Sequence, residues 1–319
     1  MRIRPLAALS TVALATLLLA GCAGGGGEAT PSPTEASADL CDAAAPSGDA
    51  SDAVKVEGEL GAESTATFAT PLEITKLERT VIDEGSGDPV KAGDLVQYAL
   101  TAFNAETGEK LGSVGYAESE LLPQQISADN PLGQVIGCSA PGSRFTAAFP
   151  ATDTNPGEVY VFDFSEVVPT AAWGEEQAPV EGMPTVELDD DGAPTITLPG
   201  GDAPTEVQLT ALKLGDGPVV ASGDTVLVQY TGVKWSDGSV FDSSWESGAP
   251  ASFATTGVVP GFQQALEGQT VGSQMLVVIP PAAGYGEGEI NDKDLVGETL
   301  VFVVDILANQ HAPATPPAQ

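Results

Sequence analysis

The chain repeats itself. Laying Ala92-Gly93-Asp94 on Ser222-Gly223-Asp224 sets a register of 130 residues (223 − 93), which then holds without a gap. Thr101 meets Thr231, Gly108 meets Gly238, Ser113 meets Ser243, Gly142-Ser143 meets Gly272-Ser273, and Pro150 meets Pro280. Past a loop ten residues longer in the second copy (301 − 161 = 140), Val161-Phe162 meets Val301-Phe302. Upstream, Ile74-Thr75-Lys76-Leu77 and Val207-Gln208-Leu209 read as matching strands. A repeat this long obliges both halves to share one fold, and 319 residues leave room for two domains of ordinary size.

Each copy reads mostly as strand. Residues 225–230 are β-rich, Met275-Leu276-Val277-Val278-Ile279 is a continuous apolar run closed by Pro280-Pro281, and 300–307 forms another long strand. Ser236-Asp237-Gly238-Ser239 and Asp190-Asp191-Gly192 carry the Asp-Gly signal of a hairpin. The acids of 189–191 lack the alternation and distal Glu of a calcium loop, so a turn is the reading there. One short helix is expected over 261–266, entered after Pro260 and stopped at Gly268. The expected fold class is α+β, with each copy an antiparallel sheet curled over a short helix.

The N-terminus reads as an address. Arg2 and Arg4 precede an apolar run over 6–19, which is short for a membrane span. It ends in Leu19-Ala20-Gly21-Cys22, which resembles a bacterial lipobox; that resemblance implies cleavage before Cys22, a diacylglycerol thioether on its sulfur and acylation of its amine. Glycines 24–27 follow as a tether. The mature chain would carry a charge of −36 (9 Lys and Arg against 45 Asp and Glu), which argues against nucleic acid as a partner. Cys41 and Cys138 remain, and outside the cell a disulfide between them competes with two separate thiols. Closing that loop would stabilise the fold by roughly 4 kcal/mol in the chain-entropy model. The single His311 sits in a Pro-rich tail, which removes imidazole triads and His-based metal sites from consideration, and no cofactor is expected.

The second copy holds Val228-Gln229-Tyr230-Thr231-Gly232, Phe241-Asp242-Ser243-Ser244, Val258-Val259-Pro260-Gly261-Phe262, Tyr285-Gly286 and Leu300-Val301-Phe302. In this order and spacing they closely resemble the FKBP family of peptidyl-prolyl cis/trans isomerases, strongly over 210–308 and weakly over 74–170. The resemblance implies two tandem FKBP-like domains and an isomerase acting on proline-containing polypeptides, here exported ones. It also implies macrolide inhibitors as ligands and a monomer held at the extracytoplasmic face of the cell membrane by its lipid. It places Phe262 under the proline ring, with Tyr230, Phe241, Val258, Val259 and Phe302 as walls and Phe253 supporting them. Asp242 would sit at the edge, either orienting Tyr230 or acting on the field of the rotating carbonyl, Tyr285 would point its hydroxyl at the substrate backbone, and the Val259 amide would meet a substrate carbonyl. Tyr230, Asp242 and Tyr285 are the expected catalytic groups.

Three features depart from the family pattern. The floor is Phe262 where Trp is frequent, Trp245-Glu246-Ser247-Gly248 lacks a basic residue, and the acidic loop 287–298 lacks a Pro-Pro, with Ile290 or Leu295 as wall candidates. In the first copy Tyr230 falls on Leu100, Phe241 on Leu111 and Asp242 on Gly112, while the Tyr285 loop shrinks to 153–158 without Tyr. That copy is expected to be catalytically dead and to serve as a spacer, a docking surface or a stabiliser. The expected organisation is a signal peptide at 1–21, a disordered stalk at 22–52 and a degenerate domain at 53–170. A linker with a β-hairpin follows at 171–203, then the isomerase domain at 204–308 and a disordered tail at 309–319. The rival function is a polypeptide-binding or chaperone lipoprotein that uses the same cup without turnover.

Overall fold

The computed structural model describes residues 39–291 and 294–312; the leader expected at 1–21 and Cys22, expected to carry the lipid, lie outside them. Among the described residues no helix is long and apolar enough to cross a membrane. Among the described residues the architecture is α+β, two large antiparallel sheets and two two-stranded hairpins with a few short helices. The first sheet runs Glu78–Asp83, Ser143–Phe149, Glu158–Val168, Leu95–Asn104, Lys110–Val114, and Gln124–Gln125 also pairs with Leu95–Asn104. The second runs Gln208–Leu214, Gln274–Ile279, Leu300–Gln310, Thr225–Lys234, Val240–Ser243, and Ala251–Ala254 also pairs with Thr225–Lys234. Glu175–Glu176 adds an outer strand beside Gln208–Leu214.

Even the irregularities repeat. Register breaks at Val81/Asp83, Gln97/Tyr98 and Ala102/Phe103 recur at Ala211/Lys213, Leu227/Val228 and Gly232/Val233, each 130 residues on (211 − 81, 227 − 97, 232 − 102). Such bulges bend a strand and re-aim its side chains, so both sheets curl at the same places.

The strand period of two explains why the runs around 276 and 303 are apolar without interruption. Met275, Val277, Ile279, Phe302, Val304 and Ile306 face the helix Pro260–Leu266. Leu276, Val278, Val301 and Val303 face the other way, under the hairpin Thr185–Leu188/Pro194–Thr197, which supplies Val186 and Ile196. The first repeat has the same third layer: Lys55–Glu57/Thr65–Thr67 lays Val56 and Ala66 on Val159 and Val161. The hairpins stand 130 residues apart (186 − 56, 196 − 66). The segment expected to be a linker over 171–203 therefore contains part of the second repeat, because the back of a two-sided apolar sheet has to be covered.

Other expectations shift. The stalk expected to reach residue 52 is ordered from 39: Leu40 is buried, Cys41 is bonded to Cys138, and the Glu78 carboxylate accepts from the amides of Ala50 and Ser51. The tail expected to start at 309 instead continues the strand Leu300–Gln310, with Asn309 buried. The strand expected at 74–77 begins at Glu78, while Ile74 and Leu77 pack as loop residues. Leu100 pairs with Phe162 as Tyr230 pairs with Val304, so the inserted loop is twelve residues, not ten (304 − 162 = 142; 142 − 130 = 12). The counterpart of Phe302 is then Tyr160, not Phe162 (302 − 142). A slip of two keeps every side chain on its own face, so the apolar pattern could not expose the error.

Candidate functional site

Strand Thr225–Lys234 turns Val226, Val228 and Tyr230 into the helix-side core. The next inward position is Gly232. A Cβ there would lie 2.7 Å from both Phe241 Cζ and Phe302 Cε1, so the absent side chain gives two rings their seat. Phe302 sits opposite Gly232 on one neighbouring strand and Asp242 opposite it on the other. The helix carrying Phe262 starts with Pro260 in its first turn, where a missing N–H costs nothing. Gly261 lets it approach closely, because a Cβ would fall 2.4 Å from Ile279 Cγ2.

These elements gather five rings. Phe262 and Phe302 stand 4.9 Å apart at 72°, Phe241 and Phe302 5.4 Å at 84°, and Tyr230 and Phe262 6.2 Å at 79°. Phe253 packs on both Tyr230 and Phe262. These are edge-to-face contacts, the geometry that ring quadrupoles favour. Phe262 and Phe302 are buried, while Phe241, Phe253, Val258 and Val259 are half-buried and leave one side open to solvent. The Val259 N–H finds no acceptor among the described residues, although its carbonyl accepts from Phe262 and Gln263.

Polar groups at this hydrocarbon wall are few. The Tyr230 hydroxyl donates to Asp242 Oδ2 at 2.7 Å. Burial pushes the Tyr230 phenol well above its ordinary range, helped by the Asp242 hydrogen bond and charge and by neighbouring Tyr285. Tyr285 is 53% exposed, on a turn held by Gly284 and Gly286 amides donating to Pro281 O. Of the two wall candidates from the acidic loop, Leu295 packs on the cluster, whereas Ile290 is exposed. In the sequence Ser243 and Ser244 stand out only as part of the Phe241-to-Ser244 motif. Ser244 Oγ accepts from the Tyr230 amide at 2.8 Å and donates to Gln229 Oε1, and Ser243 Oγ lies 3.1 Å from Thr231 Oγ1. Together they pin the Asp242 strand against Tyr230. Gly232 likewise belongs to the motif, but its close contact with two rings joins residues far apart in the chain and leaves no sequence signal.

The first repeat gathers rings of its own, Tyr98, Phe149, Tyr160 and Phe162, but not the polar pair. Leu100 and Gly112 stand where Tyr230 and Asp242 stand, Leu132 replaces Phe262 (262 − 130), and Ala102 replaces Gly232 (232 − 102). Leu111 is exposed, and the Tyr160 hydroxyl donates to Glu158 instead. Two concavities lie away from the rings. One is bounded by Pro123, Gln124, Gln125, Ala249, Pro250 and Ser252, between the repeats, and the other by Val180, Met183 and Leu209. The ring cluster is an open face.

The comparisons fall on this same region. A family described as "FKBP-type peptidyl-prolyl cis-trans isomerase" matches residues 217–307. The chain is 39% identical over 116 residues to an FK506-binding protein of Streptomyces anulatus, covering 94% of that protein and 35% of this chain. A probable FK506-binding protein of Corynebacterium glutamicum is 37% identical over 113 residues, with 95% of it and 35% of this chain covered. The outer membrane protein MIP of Legionella longbeachae is 34% identical over 109 residues, 46% of its length and 34% of this one. With nearly the whole of two relatives matched and the motif residues standing at one open aromatic face, this chain belongs to the FKBP-type peptidyl-prolyl cis-trans isomerases.

Proposed function

We propose that the aromatic face of the second repeat seats the proline of exported polypeptides and lowers the barrier to rotation about the preceding peptide bond. That barrier is about 18–20 kcal/mol because rotation breaks amide resonance, and water resists the twist by hydrogen-bonding the polarised planar amide. A catalyst needs no nucleophile for this step. It needs a dry seat for the pyrrolidine ring and fixed dipoles suited to the twisted carbonyl. Removing even ~5 kcal/mol accelerates the step by three to four powers of ten.

In this reading Phe262 is the floor, and Tyr230, Phe241, Phe302, Val258 and Val259 are the walls, with Phe253 behind them. Asp242 fixes the Tyr230 phenol, Tyr285 reaches the substrate backbone from its exposed turn, and the unengaged Val259 amide receives a substrate carbonyl. Macrolides that mimic the proline ring would compete for the same seat. The first repeat, with Leu100 and Gly112 in place of the polar pair, is an FKBP-like domain without turnover.

The outer membrane protein MIP among the relatives supports an extracytoplasmic location. Arg2, Arg4 and the Leu19-to-Cys22 run support a cleaved leader and a lipid on Cys22. The Cys41–Cys138 bond fits such an oxidising compartment. The two repeats cover each other's apolar patches, which supports a monomer.

The observation that carries the reading is the Tyr230–Asp242 pair set into an otherwise apolar wall of rings. The test is a protease-coupled proline-peptide assay on the full-length chain. Acceleration of cis-to-trans conversion supports the proposal. Peptide binding without acceleration would favour a holding chaperone instead.

A further inference from the structure

We propose that the first repeat is a positioning element for the proline cup and that it acts through Asn309. This inference rests on the reading of Phe262 and Val259 as parts of that cup.

The two repeats touch through an apolar patch formed by Leu95, Leu122 and Val168 of the first and Leu227 and Leu307 of the second. Four of the five equivalent positions in the other repeat are polar. Leu95 and Val168 correspond to Thr225 and Gln310 (95 + 130, 168 + 142), whereas Leu122 corresponds to Ala251, because Val96 pairs with Gln124 as Val226 pairs with Phe253 (253 − 124 = 129). Leu227 and Leu307 correspond to Gln97 and Ser165 (227 − 130, 307 − 142). The contact joins like ends of the two repeats, since Leu227 and Leu307 match positions 97 and 165, on the same strands as Leu95 and Val168.

Beside the patch runs a polar chain. Asn309 is 4% exposed, and its side-chain amide faces both repeats. Its Oδ1 accepts from Ser119 Oγ of the first repeat at 2.7 Å, and its Nδ2 donates to Asp224 Oδ2 of the second at 2.9 Å. Flanking bonds hold the crossing: His311 N donates to Ser119 O at 2.7 Å, and Gln310 Nε2 to Glu120 O at 2.7 Å. Ser119 sits at φ 55, a conformation a non-glycine residue adopts only when its surroundings impose it. Glu120 imposes it by accepting from the amides of Gly115 and Ala117.

From Asp224 the chain continues to the cup. The Asp224 carbonyl accepts from Thr255 N at 2.8 Å, and the next amide back, Gly223 N, donates to Thr255 Oγ1 at 2.8 Å. Thr255 is fully buried and opens the turn Thr255–Gly257, which delivers Val258, Val259 and then Phe262. The turn follows Ala254, which pairs with Thr225, so its entry point is set by that last strand pair and by the bonds to Asp224 and Gly223. Three hydrogen-bonded steps thus lead from Ser119 to the segment that carries the floor.

The test uses the full-length chain with Ser119→Ala, which removes one hydroxyl, and Asn309→Ala, which removes the bridge. Three quantities are measured: kcat and KM on a proline peptide, the backbone amide resonances of Thr255, Val258 and Val259, and the melting temperature. The expected result is a fall in kcat of about threefold for Ser119→Ala and about tenfold for Asn309→Ala. KM should change less, and those three amides should shift. Variants that melt earlier while keeping wild-type kcat and wild-type Thr255–Val259 resonances would overturn the proposal and leave the joint a stabiliser only. An unsubstituted chain that does not accelerate isomerisation would instead overturn the cup assignment, so the two failures are distinguishable.

Discussion

The phenol of Tyr230 and the carboxylate of Asp242 meet across neighbouring strands at 2.7 Å, with Gly232 opposite Asp242 leaving space for the rings beside them. Because Asp242 is exposed while Tyr230 is 8% exposed, the pair joins water to the ring cluster. Substitutions here should therefore separate turnover from folding. Tyr230→Phe and Asp242→Ala are expected to lower kcat/KM about tenfold or more, with stability changes near 1 kcal/mol, the usual net value of one hydrogen bond. Tyr285→Phe should act in the same direction. Parallel peptide kinetics and thermal melts check this, and unchanged turnover in all three variants would remove these residues from the site.

Gly232→Ala puts a methyl where two rings now lie, 2.7 Å from an atom of each. Phe241 or Phe302 must move, and overpacking of this kind costs about 1–3 kcal/mol. The variant should fold, lose most of its turnover and show displaced Phe241 ring resonances. Wild-type kinetics in Gly232→Ala would mean that ring placement is not what the cup depends on.

Arg144 and Asp163 form an ion pair in the first repeat with side chains 2% exposed each, and the guanidinium also holds the carbonyls of Gly58 and Glu59. The second repeat solves the same position without a cation, using Gln274 Nε2 on Asp305 Oδ1 at 2.7 Å. Removing one partner of a buried pair strands the other charge and costs about 3–5 kcal/mol. Arg144→Ala is expected to melt the first repeat at lower temperature while the second retains its own transition, which calorimetry would resolve.

Burial raises the pKa of Tyr98, Tyr116, Tyr160 and Tyr230 above the usual tyrosine value. In the unfolded chain these phenols ionise near pH 10, while in the folded chain they stay neutral to higher pH. The unfolded state therefore sheds protons first, and the stability present below about pH 10 is lost as pH climbs toward the folded values. Melting temperatures should fall steeply from about pH 10 upward. A flat profile through pH 11.5 would contradict these burials.

Much of this was legible in the residues. The 130-residue register anticipated two sheets of matching strand order, and the spacing from Tyr230 through Phe302 marked the face at which the rings gather. What escaped was of three kinds. The strand slip at 158–168 escaped because moving two residues preserves the inward face. The hairpin at 185–197 was visible as a turn, but its match to 55–67 is too short and polar to stand out, so its role as a third layer appeared only in the packing of Val186 and Ile196. The ordered ends escaped because Leu40 and Asn309 each sit in segments of loop-like composition and are held by distant residues, Leu40 in the core beside Ile136 and Asn309 by Ser119 and Asp224.

The most direct measurement is the set of nuclear Overhauser contacts between the ring protons of a bound proline peptide and the full-length chain. Cross-peaks are expected from the pyrrolidine Cβ and Cγ protons to Phe262, Phe302 and Tyr230. Contacts confined to Gln124, Gln125 and Pro250 in the cleft between the repeats, with none to Phe262, would contradict that placement.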